Sequence, residues 1–241
     1  MAEEATPGTG SDPVAVVGTL GEPNRRALYD FVSNQEGWVS RDQAAGAVGL
    51  QRATAAHHLD RLAAEGLLEI AFRRLSGRQG PGAGRPAKVY RRAARLFSVS
   101  LPPRRYELVG GLLAEAVDRA RSDGRDVAET LEEVARDAGG RLATEMSARV
   151  DAAASRRRAS RRMAVLEALG DHGYEPMVGP DGTVVLRNCP FHELARTHTE
   201  LVCGMNHRFL DAAVGELGGT GLKARLQPDE GSCCVRLVED T

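Results

Sequence analysis

The sequence contains few aromatic residues and no long apolar run. Of its 241 residues only 5 are Phe, 4 are Tyr and 1 is Trp, whereas 42% are hydrophobic and 27% are charged. This balance excludes a wholly disordered chain, because enough apolar surface is available to build a core. Charged residues interrupt every apolar stretch within a turn or two, so no segment is predicted to span a membrane.

Two further absences concern targeting and catalysis. Residues 1–12 are acidic and rich in Gly, Thr and Pro, without the basic start and apolar stretch of a secretory signal. We therefore expect a disordered tail on a cytoplasmic protein. The sequence also contains no G-x-S-x-G elbow, no Walker phosphate loop and no dinucleotide fingerprint. An enzyme is not expected.

Positive charge is concentrated in the first half of the chain, although the formal net charge is only −1. From Arg61 to Arg95 there are nine Lys or Arg residues and two acidic residues. A basic segment of this kind is the electrostatic footprint of a surface that meets phosphate, and a solvated basic face is the alternative.

Helical periodicity and turn chemistry predict a domain over residues 13–98. The Ser40 hydroxyl can cap a second helix, and Gly49 allows a tight turn before a third. Two strands then flank a glycine-rich loop. The expected bounds are 13–32, interrupted near Gly21, 41–48 and 51–65 for the helices, and 68–74 and 87–92 for the strands. This order predicts a helix-turn-helix followed by a hairpin wing.

The third helix has one apolar and one polar face. Ala55, Leu59 and Leu62 form the apolar stripe, and small or polar residues face the opposite way. Short polar side chains permit close approach to the major groove, while basic residues of the wing can follow the DNA backbone. The predicted DNA-binding residues are Arg52, Thr54, His57, Arg61, Arg78, Arg85 and Lys88.

A resemblance to a known protein family rests on two segments of this domain, VSRDQAAGAVGLQRATAAHHLDRLAAEGLLE and GAGRPAKVYRRA. Over about residues 13–95 the chain resembles winged helix-turn-helix regulators of the ArsR type. The resemblance implies a transcription regulator that binds double-stranded DNA, and we expect a repressor. Because such a regulator reads a two-fold operator, we expect a homodimer on a palindromic site.

Residues 104–150 resume helical periodicity after Pro102 and Pro103. Two apolar stripes are predicted there, and each can serve a local core or a dimer seam. The stripes are Val109, Leu112, Leu113, Ala116 and Val117, and Val127, Leu131, Val134 and Leu142. We favour the seam, because a two-fold operator requires a symmetric dimer, and we interpret 104–150 as a helical dimerisation region.

All four cysteines lie within residues 151–241. In a chain expected to be cytoplasmic, this grouping indicates a metal or redox site rather than structural disulfides. Cys189 follows a predicted hairpin, and a helix break at Thr197 would return Cys203 to its level. Strand alternation after the last turn places Cys233 on the core face and Cys234 on the opposite face, unless a bulge at the start of the strand turns both sulfurs to one side.

Two segments around the cysteines resemble the C-terminal domain of SufR-like regulators. They are LRNCPFHELARTHTELVCGMNHRFLDAAVGEL and PDEGSCCVRL. That resemblance implies a 4Fe-4S cluster held by Cys189, Cys203 and Cys233 in a homodimeric DNA-binding protein. The fourth ligand stays open between His192 and Cys234. Zinc is the alternative metal, and a thiol redox site without metal is a further alternative.

The whole sequence therefore predicts a mainly α protein with small β hairpins. It would consist of an N-terminal winged helix-turn-helix and an α+β C-terminal sensor domain at 151–241. The predicted function is a transcription regulator whose operator binding depends on an iron-sulfur cluster and senses iron or redox state. The alternative is the same DNA-binding head joined to a zinc-bound or thiol-redox interaction domain.

Overall fold

The structure is a computed structural model that describes residues 12–74, 85–152, 158–217, 220–229 and 231–240. It is a mixed α/β chain with small antiparallel sheets, and it divides into two compact units, Met1–Val99 and Ser100–Thr241. Within the described residues, no helix is both long and apolar enough to cross a membrane. The predicted tail at 1–12 lies outside the described residues except for Asp12.

The first unit combines four helices with a three-stranded sheet in its described residues. Its sheet has the antiparallel order β1-β3-β2. In chain order its elements are α1 (Pro13–Thr19), α2 (Pro23–Ser33), β1 (Val39–Ser40), α3 (Arg41–Val48), α4 (Arg52–Ala64), β2 (Leu68–Arg73) and β3 (Ala87–Arg92). The break predicted near Gly21 separates α1 from α2.

Local chemistry sets the junction of α3 and α4. Ser40 and Gln43 form a reciprocal capping box at the start of α3, as the sequence predicted for Ser40. Gly49 ends that helix with φ 72°, a left-handed conformation that favours glycine. One side of α4 then packs into the core through Ala55, Leu59 and Leu62.

In its described residues the second unit contains five helices and a four-stranded antiparallel sheet of order β4-β5-β7-β6, on which α7 and α9 pack. Its described elements are α5 (Tyr106–Asp123), α6 (Val127–Ala152), α7 (Arg158–Asp171), β4 (Pro176–Val178), β5 (Val184–Leu186), α8 (His192–Thr197), α9 (Thr199–Gly215), β6 (Leu222–Leu226) and β7 (Val235–Glu239). Helix α6 packs on α9. The two backbones approach so closely at Gly139 that an added Cβ would collide with the carbonyl oxygen of Phe209.

The predicted regions 104–150 and 151–241 therefore share one unit. Val109, Leu112 and Ala116 of α5, with Leu131, Val134 and Leu142 of α6, are buried in the same core as the cysteines. The apolar stripes interpreted as a dimer seam are thus covered by their own chain. Val117 and Val127 differ, since they are 40% and 41% exposed. Periodicity had indicated a buried face without indicating what covers it.

Candidate functional site

Three separate chain segments bring the four cysteines to one place in the second unit. Cys189 lies in the loop between β5 and α8, Cys203 lies on α9, and Cys233 and Cys234 directly precede β7. All four are free and buried, and all belong to the same apolar core. The break between α8 and α9 at His198, whose φ of −130° is not helical, lets α9 begin in a new direction after the Cys189 loop.

The thiol groups contact one another in sequence. Cys189 lies beside Cys233 and Cys203 lies beside Cys234, close enough for each thiol to shift the pKa of its neighbour, and Cys233 and Cys234 are adjacent in the chain. The cysteine cluster, defined as these four residues, is anchored by two backbone hydrogen bonds. The Cys233 amide donates to the carbonyl oxygen of Leu186 over 2.8 Å, and the Gln227 amide donates to that of Cys234 over 2.7 Å.

Cys234 corrects the prediction based on strand alternation. Strand β7 begins at Val235, so the two adjacent cysteines lie in a bend before it rather than inside a pleated strand. Alternation of faces applies only to extended pleated backbone, and it does not separate these side chains. Both thiols therefore reach the cluster, and Cys234 bridges Cys233 to Cys203.

The cysteine cluster resists full deprotonation. A hydrogen bond with Cys233 and burial raise the pKa of Cys189 far above its usual range. A hydrogen bond with Cys203 and burial raise the pKa of Cys234 to about 12, whereas the hydrogen bond with Cys234 lowers the pKa of Cys203. Four neighbouring buried thiols cannot all ionise without a compensating cation, so the donor set suits a cationic group that binds thiolates.

A buried polar pair joins the cysteine cluster from one side. The Tyr174 hydroxyl donates to Asn206 Oδ1 over 2.6 Å, and Asn206 Nδ2 donates to Cys233 Sγ over 3.3 Å. Burial raises the pKa of Tyr174 well above its usual range, so the phenol stays protonated. Sequence reasoning missed this pair. Its signal was a polar residue one turn after Cys203, within the apolar face of α9.

The segment that enters the second unit is bound to the Cys189 loop. One Arg104 Nη1 nitrogen donates to Asn188 Oδ1 over 2.5 Å and to the Cys189 carbonyl oxygen over 3.3 Å. In the other direction, Asn188 Nδ2 donates to the Pro103 carbonyl oxygen over 2.9 Å. The Arg105 amide donates to the Pro190 carbonyl oxygen over 3.1 Å. These contacts form a strap, defined as Pro103–Arg105, over the loop 188–190.

The predicted ligand set is only partly brought together. Cys189, Cys203, Cys233 and Cys234 lie in one buried cluster, but His192 is exposed at the start of α8. Within the described part of the chain, no group of three or more His, Cys, Asp and Glu side chains has the arrangement of a metal site.

In the first unit, α4 presents four of the predicted DNA-binding residues at the surface. Arg52, Thr54, His57 and Arg61 are all exposed. The two arginines have acidic partners at 2.6 Å, Asp42 for Arg52 and Glu65 for Arg61, and each arginine side chain stays more than half exposed. Exposed ion pairs of this kind are weak, so both guanidinium groups can exchange these partners for phosphate or base atoms.

Lys88 and Arg85, two of the predicted DNA-binding residues near the hairpin, have different surroundings. Lys88 Nζ lies 2.6 Å from Asp60 Oδ1, and its side chain is only 23% exposed. Arg41 and Tyr90 also bind the Asp60 carboxylate, so Lys88 belongs to a network that ties β3 to α3 and α4. Arg85 is exposed, whereas Arg78 lies outside the described residues.

The hairpin carries an ordered pair of arginines, of which the sequence predicted Arg73 as a basic wing residue but not Arg91 or the stacking of either on Trp38. The guanidinium groups of Arg73 and Arg91 lie over the Trp38 ring at 4.8 and 4.6 Å from its centroid. Both arginines are exposed, and Arg91 also pairs with Glu69. Stacking on the indole restricts the two side chains at the surface, and the single Trp before a basic hairpin was the available signal.

Comparison of the chain with protein-family models, with curated proteins and with solved structures finds no match.

Proposed function

We propose that this protein is a DNA-binding transcription regulator whose operator binding is controlled by a 4Fe-4S cluster in the second unit. The observation that carries the sensor half is the meeting of four buried thiols from three chain segments. Cys189, Cys203 and Cys233 would hold the cluster with Cys234 as the fourth candidate, because Cys234 contacts two of the other thiols and His192 is exposed. A bound cluster would supply a group that depends on iron and accepts one electron.

The DNA-binding half of the proposal is supported by the first unit. Helices α3 and α4 meet at Gly49, and the exposed side of α4 carries short polar and basic residues as a recognition helix does. Strands β2 and β3 would form the wing of a winged helix-turn-helix. Arg85 and the stacked pair Arg73 and Arg91 provide cations for the DNA backbone. We further propose a cytoplasmic homodimeric repressor on a palindromic operator.

Zinc is the second candidate occupant, and one observation favours it. In a tetrahedral zinc site every sulfur lies about 2.3 Å from the ion, so neighbouring thiolates lie close together. The thiols of the cysteine cluster already touch in pairs. The same contacts also suit a disulfide switch without metal.

Anaerobic purification decides between these occupants. A 4Fe-4S cluster gives a brown protein with visible charge-transfer absorbance, together with equal amounts of iron and acid-labile sulfide. Zinc is colourless because its d shell is full. A colourless protein that contains zinc, or no metal at all, would contradict the cluster proposal.

DNA binding is tested separately on the full chain. Selection from a pool of random-sequence DNA duplexes should enrich a palindrome, and binding to it should weaken steeply as salt rises. The variant Arg52→Ala, His57→Ala, Arg61→Ala should lose the selected sequence. Exposed Arg187→Ala in the second unit is the matched control. Failure to enrich any sequence, or unchanged affinity of the triple variant in a folded protein, would contradict the DNA-binding proposal.

A further inference from the structure

Asn206 is a buried amide placed directly against a cysteine sulfur. It is 1% exposed, and Tyr174 on its other side is 1% exposed. The amide spans the two partners, accepting from the Tyr174 hydroxyl at Oδ1 and donating from Nδ2 to Cys233 Sγ. The two buried groups satisfy each other's hydrogen bonds, as buried polar groups generally do, and the amide nitrogen is directed at a cysteine sulfur.

In the structure the nitrogen end of the Asn206 amide faces the sulfur. With Oδ1 occupied by the Tyr174 hydroxyl, Asn206 presents an N–H group to Cys233. A thiolate has no proton to donate and only accepts hydrogen bonds. This orientation therefore suits a deprotonated Cys233 sulfur that binds a metal. The edge-to-face contact of the Tyr174 ring with Phe191, at 6.5 Å between centroids, holds the ring independently of the hydroxyl.

We propose that Asn206, oriented by Tyr174, donates a hydrogen bond to the Cys233 thiolate that raises the reduction potential of the cluster. This inference rests on the proposed function. Reduction adds one electron and no atom to the cluster, and the added negative charge is shared by the sulfur ligands. An N–H group aimed at one of these sulfurs stabilises the reduced form more than the oxidised form.

The assignment separates two roles. Asn206 would contact a ligand sulfur, whereas Tyr174 acts through Asn206 and is a positioning residue. Removal of the Asn206 amide should therefore change the reduction potential of the cluster more than removal of the Tyr174 hydroxyl does. Removal of the hydroxyl alone leaves an amide that can rotate and present its oxygen to the sulfur, which should shift the potential in the same direction by less.

The test is a mediated redox titration of anaerobically purified Asn206→Ala, Tyr174→Phe and wild-type protein, followed by visible absorbance. Asn206→Ala should reduce the ratio of reduced to oxidised cluster at a fixed potential about tenfold, which is a fall of about 59 mV for one electron. Tyr174→Phe should shift the ratio less. Tyr106→Phe, which is 38% exposed on α5, is the matched control and should leave it unchanged.

A second readout reports the hydrogen bond itself. Resonance Raman spectra should show the Fe–S(Cys) stretching band of Asn206→Ala moved to higher frequency, because a sulfur that no longer accepts a hydrogen bond binds iron more strongly. If Asn206→Ala does not fold, Tyr174→Phe decides the question, since it keeps the ring packing. Wild-type potential and stretching frequency in a loaded Tyr174→Phe would then overturn the proposal. A wild-type protein without iron would instead refute the proposed function.

Discussion

Cys234 is the residue for which structure and sequence predict different outcomes. Alternation placed its side chain away from the site, whereas the structure places its thiol between Cys203 and Cys233. We expect Cys234→Ser to lower the iron content of anaerobically purified protein about as much as Cys233→Ser does, because each removes a thiolate that the neighbouring sulfurs cannot replace. Iron analysis and visible absorbance measure the effect.

His192→Ala is the matched control, since His192 is the other candidate fourth ligand and is exposed. It should keep the wild-type iron content. Normal iron loading in Cys234→Ser together with loss in His192→Ala would assign the fourth ligand to the histidine.

Asp60 makes a pH-dependent contribution to the stability of the first unit. Partial burial raises its pKa, but hydrogen bonds from Lys88, Tyr90 and Arg41 outweigh burial and lower the pKa below its usual value. Because the pKa of Asp60 is lower in the folded protein, its ionised carboxylate stabilises the fold. This stabilisation is fully present above the pKa of the unfolded chain, about 3.9, and is lost as the pH falls through the pKa of the folded protein. The stabilisation at neutral pH should be about 1 kcal/mol, because the carboxylate is partly exposed.

Asp60→Asn tests this contribution. The free energy of unfolding of wild type minus that of the variant should be constant from about pH 7 to pH 5 and should shrink below about pH 4. Chemical denaturation across this range provides the measurement. A difference that stays constant down to pH 2 would show that the carboxylate charge is not responsible.

Arg85 and Lys88 have similar charge and neighbouring positions, yet they should respond differently to removal. Arg85 is exposed, so Arg85→Ala should weaken binding to all duplexes alike and reduce the salt slope by about 1. Lys88 is held by Asp60, so Lys88→Met should lower the free energy of unfolding and leave the salt slope unchanged. A reduced salt slope in Lys88→Met would show that this lysine contacts the DNA backbone.

At the scale of elements, the close packing of α6 on α9 depends on Gly139. A Cβ at this position would collide with the Phe209 carbonyl oxygen and lie 2.8 Å from the Ala212 Cβ. Gly139→Ala should therefore destabilise the protein by about 1–3 kcal/mol, since the backbones must separate. Gly111→Ala on α5 is the matched control. No atom lies within 4 Å of its added Cβ, so it should be neutral or stabilising by up to about 1 kcal/mol. Equal effects of both variants would contradict the close approach.

Elements set by neighbouring residues are the ones that the sequence predicted well. The cap provided by Ser40, the turn at Gly49 and the apolar face of α4 all depend on residues within a turn of one another. The bend at Cys233 and Cys234 depends on a distant partner, the Leu186 carbonyl oxygen, so local alternation predicted it wrongly. Periodicity likewise marked the buried faces of α5 and α6, but it contains no information on whether a neighbouring helix or a second chain covers them.

At the scale of the whole molecule, the strap connects the chain leaving the first unit to the cysteine cluster. Pro103, Arg104 and Arg105 all bind the loop 188–190, in which Cys189 lies. In the proposed regulator, a movement of Cys189 on cluster binding would therefore act on the segment that follows the first unit in the chain. In the proposed regulator this gives the two units a physical connection that does not depend on a direct contact between them.

Asn188→Ala tests whether the strap transmits the state of the cluster. In the wild-type protein we expect loaded and cluster-free forms to differ in operator affinity by about 5- to 150-fold, the usual range of coupling between two sites. Asn188→Ala removes the amide that binds both Arg104 and Pro103, so the two forms should approach equal affinity while the iron content stays normal. Arg104→Leu should have the same effect, and Arg187→Ala, an exposed neighbour, should keep the wild-type ratio. Fluorescence anisotropy on the selected duplex measures all four proteins in both forms. An undiminished affinity ratio in a loaded Asn188→Ala would show that the signal reaches the DNA-binding unit by another route.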